Sequence, residues 1–475
     1  METKPEIIGL IPKEIAMQYR VFPERRNADG QLSLYWDGHG DDGALVDELE
    51  VILGCGIQLL PLDQNEISRL LSKHYLGDTA QIEKNEKEVS VISAGDDFLS
   101  LLIAEARRLK SSDIHIETFE KRSRVRVRID GMMIERYQIE KKDYPALVNK
   151  IKIMANLDIA EKRLPQDGRI QYTITGQSSF DIRVSVLPTL YGEKIVLRLL
   201  NNSSTDIDLT TLGLAADDMR NYLEGIQRPN GIILISGPTG SGKTTTLYAT
   251  LKLLNKSTRN ILTIEDPIEY TLEGVNQVQL RENIGLGFAA TLRTFLRQDP
   301  DVIMVGEIRD PETANMAIRA ALTGHLVLST IHTNSAWGTV SRLIDMGIPS
   351  FLVGNTLNTT VAQRLVRLLC PKCKKQEPID TVVYPRQFKP KVMLDNHFVA
   401  TGCANCYYTG YSGRKAVYEV ISIDADLSQE IRKGNMAIDG ILEEKQINTL
   451  SKNAFSLFAD GLTSMEEIYP LLLAI

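Results

Sequence analysis

The sequence predicts an α/β protein with a parallel sheet in its C-terminal half. Two observations predict this class. After about residue 211, short apolar runs of strand length alternate with helical segments, a pattern typical of a parallel sheet. One of these runs, residues 231–236, leads directly into a glycine-rich loop that is followed by a helical segment.

The chain has 475 residues, which is too many for one hydrophobic core and predicts roughly three domains. We expect an N-terminal docking or regulatory domain at residues 1–85 and a small α/β domain bearing arginines at residues 90–205. A large α/β domain with a helical C-terminal end is expected at residues 206–475. Polar stretches at residues 81–90 and 201–211 suit linkers, and the second is the natural hinge for domain closure.

Composition and charge indicate which partners to expect. Hydrophobic residues make up 43% of the chain and charged residues 24%, which is ordinary for a folded protein. The 54 basic and 61 acidic residues give a net charge of -7, so there is no general basic field for nucleic acid. Apolar runs fall short of the roughly 20 residues of a membrane span. We therefore expect a cytoplasmic protein with no membrane span and no nucleic-acid partner.

The second domain is characterised by alternating arginines. A helical pattern at residues 96–109 precedes a strand at residues 124–129. Its period of two places Arg124, Arg126 and Arg128 on one face and apolar side chains on the other. The apolar face should pack inward, and the arginine face either meets an anion or is simply solvated.

The loop after residues 231–236 has the spacing G-x-x-x-x-G-K-T. Its glycines allow several backbone N–H groups to point at one phosphate, and the following helix adds the positive end of its dipole. Lys243 offers a mobile positive charge to the β and γ phosphates of ATP, and Thr244 offers a hydroxyl to Mg²⁺. The predicted nucleotide-binding residues of the loop are Gly237, Pro238, Thr239, Gly240, Ser241, Gly242, Lys243, Thr244 and Thr245.

Functional side chains follow three other strands of the predicted sheet. Glu265 ends one apolar run, Glu307 follows a second, and His332 follows a third. The carboxyl ends of parallel strands meet at one edge, so these side chains should lie near the γ phosphate. We favour Glu265 as the base and Glu307 as a Mg²⁺ ligand, and the reverse assignment stays open. His332 is a candidate γ-phosphate sensor, with a structural histidine as the alternative.

Four of the five cysteines form two C-x-x-C pairs, Cys370 with Cys373 and Cys403 with Cys406. Two such pairs can complete a tetrahedral site of four thiolates, for which Zn²⁺ is the favoured ion. A thioredoxin-like redox role for one pair is the alternative. A zinc-binding subdomain is therefore expected at about residues 366–412.

Nine segments follow one another along the chain in this order: SDIHIE, RVRVRIDG, RLPQDGRI, YGEKIVLRLL, GPTGSGKTT, ILTIEDPIE, DVIMVGEIRD, TGHLVLSTIHTNSA and AQRL. Their sequences and order resemble the secretion ATPase superfamily, and most closely the assembly ATPases of type II secretion systems and type IV pili. The resemblance covers residues from about 90 to the C-terminus. It implies a RecA-like ATPase domain preceded by a small PAS-like domain, with a zinc subdomain typical of secretion and pilus extension ATPases.

The same resemblance implies roles for particular residues. Glu265 falls in the family's aspartate box, Glu307 in its atypical Walker B element and His332 in its histidine box. Arginines outside the nucleotide loop complete the site in this family. Two of them are expected to share a face of one helix. The matching candidates are Arg126, Arg128, Arg183, Arg293 and Arg297.

Resemblance also implies an assembly and a place of action. The family works as homo-hexamers that bind secretion or pilus platform proteins of the inner membrane, here through the N-terminal domain. The implied function is ATP hydrolysis that powers pseudopilus assembly and protein export by a type II secretion system. Type IV pilus extension is the alternative within the family. A nucleic-acid translocase and a non-catalytic nucleotide-binding scaffold are the alternatives outside it.

Overall fold

A computed structural model describes most of the chain. The predicted linkers at residues 81–90 and 201–211 lie largely outside the described residues. The described residues are 11, 15–16, 19–27, 31–38, 42–53, 55–64, 66–67, 70–71, 90–92, 98–173, 179–200, 208–379, 384–385, 387–390 and 392–473.

Two compact units divide the chain, residues 1–91 with 136–138 and residues 92–135 with 139–475. The three-domain division stays a prediction. In the first unit, strands β1 to β3 form a sheet in sequence order, with β1 and β2 antiparallel and β2 and β3 parallel. The described elements of this unit are β1 Val21–Arg26, β2 Leu32–Trp36, α1 Asp42–Leu53 and β3 Ile57–Pro61.

The small domain, described at residues 90–92, 98–173 and 179–200, carries two described helices and a largely antiparallel sheet of order β4-β7-β6-β5-β10-β9-β8. Alternate residues of β6 are buried, as its period of two predicts. The strand predicted at residues 124–129 is therefore present, and this region combines helices with strands. Its elements are β4 Ser90–Ile92, α2 Phe98–Arg108, β5 Asp113–Thr118, β6 Ser123–Ile129, β7 Met132–Ile139, α3 Tyr144–Met154, β8 Gln166–Tyr172, β9 Phe180–Thr189 and β10 Gly192–Leu200.

The large domain, residues 208–473, is built on a seven-stranded sheet of order β13-β12-β14-β15-β11-β16-β19. The first six strands are parallel, and β19 pairs antiparallel with β16. Four central strands are buried along their whole length, because helices cover both faces of the sheet. The elements up to β15 are α4 Ala216–Gln227, β11 Gly231–Ser236, α5 Lys243–Leu254, β12 Ile261–Glu265, β13 Asn276–Gln279, α6 Phe288–Phe295, β14 Val302–Val305, α7 Pro311–Leu322 and β15 Leu326–Ile331.

Alternation along the strands divides the core into two layers. Ile261 packs in one layer with Tyr248 of α5, whereas Leu262 packs in the other with residues of α7 such as Ala317. Successive residues of a strand therefore face opposite sides of the sheet and pack against different layers of helices.

A long antiparallel ladder and a set of short helices complete the large domain. Strands β16 and β19 pair from Thr359 to Leu369, and the short β17 and β18 form a separate two-stranded sheet between them in the chain. No described helix is both long enough and apolar enough to span a membrane. The remaining elements are α8 Gly338–Asp345, α9 Ser350–Thr356, β16 Leu357–Leu369, β17 Lys375–Pro378, β18 Asn396–Val399, β19 Tyr411–Ser422, α10 Ala425–Lys433, α11 Asp439–Glu444, α12 Leu450–Ala459 and α13 Met465–Leu473.

Candidate active site and metal centre

The glycine-rich loop lies between β11, which ends at Ser236, and α5, which begins at Lys243. Gly237 and Gly242 have φ angles of 150° and 88°, a region that favours glycine. A Cβ at Gly237 would lie 2.4 Å from the backbone carbonyl oxygen of Gln363. A Cβ at Gly242 would lie 2.8 Å from Nε2 of the Gln363 side chain. The loop is therefore closely packed against β16, and these positions require glycine.

Lys243 is buried at the start of α5. Its Nζ donates hydrogen bonds to the carbonyl oxygens of Gly237 (2.7 Å) and Pro238 (3.0 Å). Burial lowers the pKa of Lys243, and the nearby charge of Glu307 partly offsets this effect. A desolvated cation surrounded by backbone dipoles is suited to bind phosphate oxygens.

Glu307, Arg309 and His332 meet at the carboxyl edge of the sheet. The Glu307 carboxylate lies 2.5 Å from Nη2 of Arg309 and 3.6 Å from Nε2 of His332. The Glu307 hydrogen bond raises the pKa of Arg309. His332 remains half exposed, with 51% of its side chain accessible. The structure thus brings two predicted site residues together next to Lys243 and adds Arg309 to them.

Glu265 occupies the last position of β12 and is only 3% exposed. Its carboxylate accepts hydrogen bonds from Thr263 (2.7 Å), from Gln277 (3.0 Å) and from the hydroxyl of Tyr248. Burial, followed by the charge of Glu265, raises the pKa of Tyr270 to about 12. Glu265 therefore lies at the predicted strand end, but its side chain points into the layer that contains α5.

The arginine face of β6 is neutralised by acids of the neighbouring β5. Arg126 makes a bidentate contact with Glu117, with hydrogen bonds of 2.9 and 2.8 Å. Arg124 also donates to Glu117, and Arg128 lies 3.6 Å from Asp113 and bonds to a backbone carbonyl. Burial alone would raise the pKa of Glu117, but hydrogen bonds led by that of Arg126 lower it to about 2. The predicted arginine surface is thus part of an internal ion network in this conformation.

The other candidate arginines lie at separate places. Arg183 of β9 reaches the large domain, where it donates to the carbonyl of Ile268 (2.8 Å) and lies 3.4 Å from Glu269. Arg293 pairs with Glu312 at 2.5 Å on the surface. Arg297 lies just beyond the end of α6 and donates back to the carbonyl of Arg293. Their described contacts do not join them to Lys243.

The four predicted cysteine ligands converge at the open end of the β16 and β19 ladder. Their Sγ atoms all lie within 4.8 Å of one another, and the adjacent pairs are 3.8 to 3.9 Å apart. Sulfur atoms of a disulfide would be about 2 Å apart, so none of these pairs forms one. Backbone N–H groups of Cys403 and Gly410 donate to Sγ of Cys406, as suits a thiolate. The cluster could hold one metal ion.

Sequence reasoning missed Arg309, which contacts Glu307, and Gln363, which contacts the loop. Arg309 lies two residues after Glu307 in the segment VGEIRD, and this closeness in sequence could have identified it as a site residue. Gln363 lies on β16, where its side chain donates to the carbonyl of Ser241 and accepts from Thr246, both at 2.8 Å. Only its place in the AQRL segment pointed to it, because a long-range contact with the loop leaves no local pattern.

The large domain is an α/β domain whose glycine-rich loop connects an inner strand of the sheet, β11, to the following helix. This arrangement defines the class of P-loop ATPases. The model of the family described as "Type II/IV secretion system protein" matches residues 92–470. The chain belongs to this family. The predicted family and the predicted α/β fold are confirmed.

Curated relatives match almost the whole chain. The type IV pilus assembly ATPase PilB of Myxococcus xanthus is 42% identical over 98% of this chain and 87% of the relative. The type II secretion system protein E of Pectobacterium carotovorum subsp. carotovorum is 41% identical over 98% of this chain and 97% of the relative. Both the predicted secretion function and its pilus alternative therefore have relatives of equal similarity.

Solved structures agree with this assignment. The pilus retraction motor PilT with bound ADP has a TM-score of 0.53 and 28% identity, over 77% of this chain and 94% of that one. The ATPase DotB of Legionella pneumophila has a TM-score of 0.61 at 22% identity, over 81% of this chain and 97% of that one. The likeness to DotB concerns the fold alone.

The Glu117 network predicts a pH-dependent contribution to stability. Because the folded pKa of Glu117 lies below the ordinary value of 4.5, this contribution is present above about pH 4.5 and lost as the pH falls towards 2. We expect Glu117→Gln to lower the free energy of unfolding by about 2 kcal/mol at pH 7, between the exposed and buried limits for ion pairs. The difference from wild type should shrink in urea unfolding at pH 3. A difference that does not change with pH would contradict this prediction, and the exposed Glu312→Gln serves as the control.

Proposed function

We propose that the chain is a ring-forming cytoplasmic ATPase that hydrolyses ATP to power pseudopilus assembly and protein export by a type II secretion system. The observation that supports this most is a buried Lys243 on a closely packed glycine-rich loop, at the edge of the sheet where Glu307 meets His332. Family membership and the relatives named as secretion proteins point to the same activity.

In this proposal the loop from Gly237 to Thr245 binds the phosphates of ATP through its backbone N–H groups. Lys243 exchanges its bonds to the carbonyls of Gly237 and Pro238 for phosphate oxygens and neutralises charge that develops during cleavage. His332, half exposed beside Glu307, is placed to report whether a γ phosphate is present.

The residues fit a bound Mg²⁺ ion, since Thr244 is exposed at the start of α5 and Glu307 lies near Lys243. When bound, Mg²⁺ would supply further neutralisation of the phosphate oxygens. We assign Glu307 to the metal and Glu265 to the activation of water. Because Glu265 is only 3% exposed and its carboxylate already accepts three hydrogen bonds, we place this step in a state closed around nucleotide, in which the carboxylate reaches the attacking water.

The proposed ring gives the candidate arginines a role. Arg126 and Arg128 are occupied by internal acids, and Arg183, Arg293 and Arg297 lie outside the Lys243 cluster. We propose that these arginines complete a nucleotide site only when domains close in a homo-hexamer. The N-terminal domain would dock the ring to inner-membrane platform proteins and so hold it at the membrane surface.

The cysteine cluster fits Zn²⁺. A tetrahedral site with Zn–S bonds of about 2.3 Å requires sulfur atoms about 3.8 Å apart. The adjacent thiols lie 3.8 to 3.9 Å apart, which is this separation. We propose a structural zinc ion held by Cys370, Cys373, Cys403 and Cys406, which leaves no ligand position open for catalysis.

Pilus extension is the second candidate function, because the relative named as a pilus assembly ATPase matches as much of the chain as the secretion relatives do. Disrupting the chromosomal gene and scoring secreted enzymes and surface pili in the same strain separates the two. Loss of secreted enzymes with pili intact is the result we expect. Loss of pili with secretion intact would transfer the proposal to pilus assembly.

The two carboxylates should differ in their dependence on metal. We expect Glu265→Gln to lower kcat about 10²-fold or more with little change in the Mg²⁺ concentration needed for half-maximal rate. Glu307→Gln should raise that Mg²⁺ concentration at least about tenfold, because a metal ligand is lost. Steady-state phosphate release over a Mg²⁺ titration measures both.

Lys243→Ala and the exposed Glu224→Gln are the inactive and active controls for this titration. The opposite pattern in the two glutamate variants would exchange their roles. Wild-type phosphate release no higher than that of Lys243→Ala would mean that the chain binds nucleotide without hydrolysing it.

Zinc removal should loosen the large domain. We expect about one zinc per chain by metal analysis, and a thermal midpoint that falls by several degrees after chelation, because metal ligation is coupled to folding. Cys403→Ser should lose the metal, whereas Cys55→Ser, which is partly buried against the core of the first unit, should keep it. A Cys403→Ser protein with full zinc content and wild-type stability would contradict the site.

A further inference from the structure

Arg364 of β16 lies half-buried between the phosphate loop and the segment that follows His332. Its Nη1 donates to the carbonyl oxygen of Gln363 (3.0 Å), and its Nη2 donates to the carbonyl oxygen of Asn334 (2.9 Å). The same Nη1 atom lies 3.2 Å from the position that a Cβ on Gly237 would occupy. The guanidinium therefore rests directly against the first glycine of the loop.

The charge of Arg364 is not balanced by a close carboxylate in the described part of the chain. Its hydrogen bonds go to backbone carbonyls, and burial lowers its pKa although the charge of Glu419 opposes this effect. Arg367, three residues later on the same strand, is different, since it lies 2.5 Å from the carboxylate of Glu467. One strand thus presents a paired and an unpaired cation.

Lys243 is also bonded to carbonyls, and the positive charge of Arg364 contributes to lowering its pKa. Two half-desolvated cations beside each other are unfavourable unless an anion lies between them. Charge-assisted bonds from a planar guanidinium suit a phosphate group in particular. Lys243 and Arg364 together therefore indicate an anion-binding site that includes Arg364 as well as the loop and Lys243.

Resting on the proposed function, we propose that Arg364 is a phosphate-binding residue supplied by the chain's own β16, and that it contacts the terminal phosphate of ATP. The position of the guanidinium selects that phosphate. Its Nη1 lies against Gly237, whose carbonyl holds Lys243. Its Nη2 bonds to Asn334, two residues beyond His332, the candidate γ-phosphate sensor.

Gln363 keeps this arginine in place. Its buried side chain bonds to Ser241 on the loop and to Thr246 on α5, so β16 cannot slide relative to the loop. The guanidinium of the next residue is thereby held at a fixed position over Gly237. Arg364 can then reach an added phosphate by giving up one carbonyl bond, without movement of the backbone.

The test compares the affinity of Arg364→Gln and wild type for ADP and for a non-hydrolysable ATP analogue, with Mg²⁺ present. We expect analogue binding to weaken about 10- to 100-fold, as for one lost hydrogen bond to a charged group, and ADP binding to change less than about threefold. The melting temperature of the nucleotide-free protein should stay near that of wild type, because no ion pair is removed. The upward shift produced by the analogue should shrink.

Arg367→Gln is the matched control, an arginine of the same strand whose charge Glu467 balances. We expect it to leave both affinities within about twofold of wild type, since that charge does not face the phosphates. If Arg364→Gln does not yield folded protein, Arg364→Lys decides in the same assay, because lysine keeps the charge without the planar fork. A lower ratio of analogue to ADP affinity in either variant supports the proposal.

Unchanged affinities, or an equal loss for ADP and analogue, would overturn it. A marked loss of nucleotide-free stability together with an equal loss of both affinities would assign Arg364 a structural role instead. Lys243→Ala separates this result from a failure of the proposed function. If wild type hydrolyses ATP, Lys243→Ala does not, and Arg364→Gln equals wild type, only the inference about Arg364 is wrong.

Discussion

The packing of the phosphate loop against β16 is the constraint on which the rest of the large domain depends. Glycine at positions 237 and 242 leaves no space between the loop and Gln363, and Gln363 bonds to the loop and to α5. Strand β11 is paired on both sides, with β15 and with β16, so the loop that follows it is held by two neighbours. Lys243, Glu307 and His332 can meet only because these parallel registers align their strand ends.

Charge is distributed differently in the two domains of the second unit. In the small domain, Arg124 and Arg126 share the buried carboxylate of Glu117, so the network is satisfied internally. At the phosphate loop, Lys243 and Arg364 have only carbonyl groups as hydrogen-bond partners among the described residues. Cations with balanced charge stabilise a fold, whereas cations without it favour a bound anion. The loop is therefore the site in this unit at which a bound phosphate would be stabilised most.

The sequence allowed the sheet, the loop and the cysteine cluster to be predicted, because each leaves a local pattern of spacing or periodicity. It did not allow the direction of Glu265 to be predicted. Glu265 shares the parity of Ile261 and Thr263, so it faces the layer of Tyr248, and that layer is known only once α5 is docked. Gln363 was missed for the same reason, since its partners lie more than a hundred residues away. The helix predicted to carry both Arg293 and Arg297 ends at Phe295, before the second of them.

The position of the cysteine cluster has a consequence for the cell. Cys370 directly follows β16, and Gln363 lies seven residues earlier on the same strand. With the proposed zinc ion bound, the four thiolates would hold the end of the strand that packs against the phosphate loop, and oxidation of the thiols or loss of zinc would release that end. In a chain made under zinc starvation or oxidative stress, the end of β16 would unfold locally beside the nucleotide pocket. The proposed ATP hydrolysis would then slow because the nucleotide pocket is distorted, which would make the activity depend on the zinc supply and on the oxidation state of the four thiols.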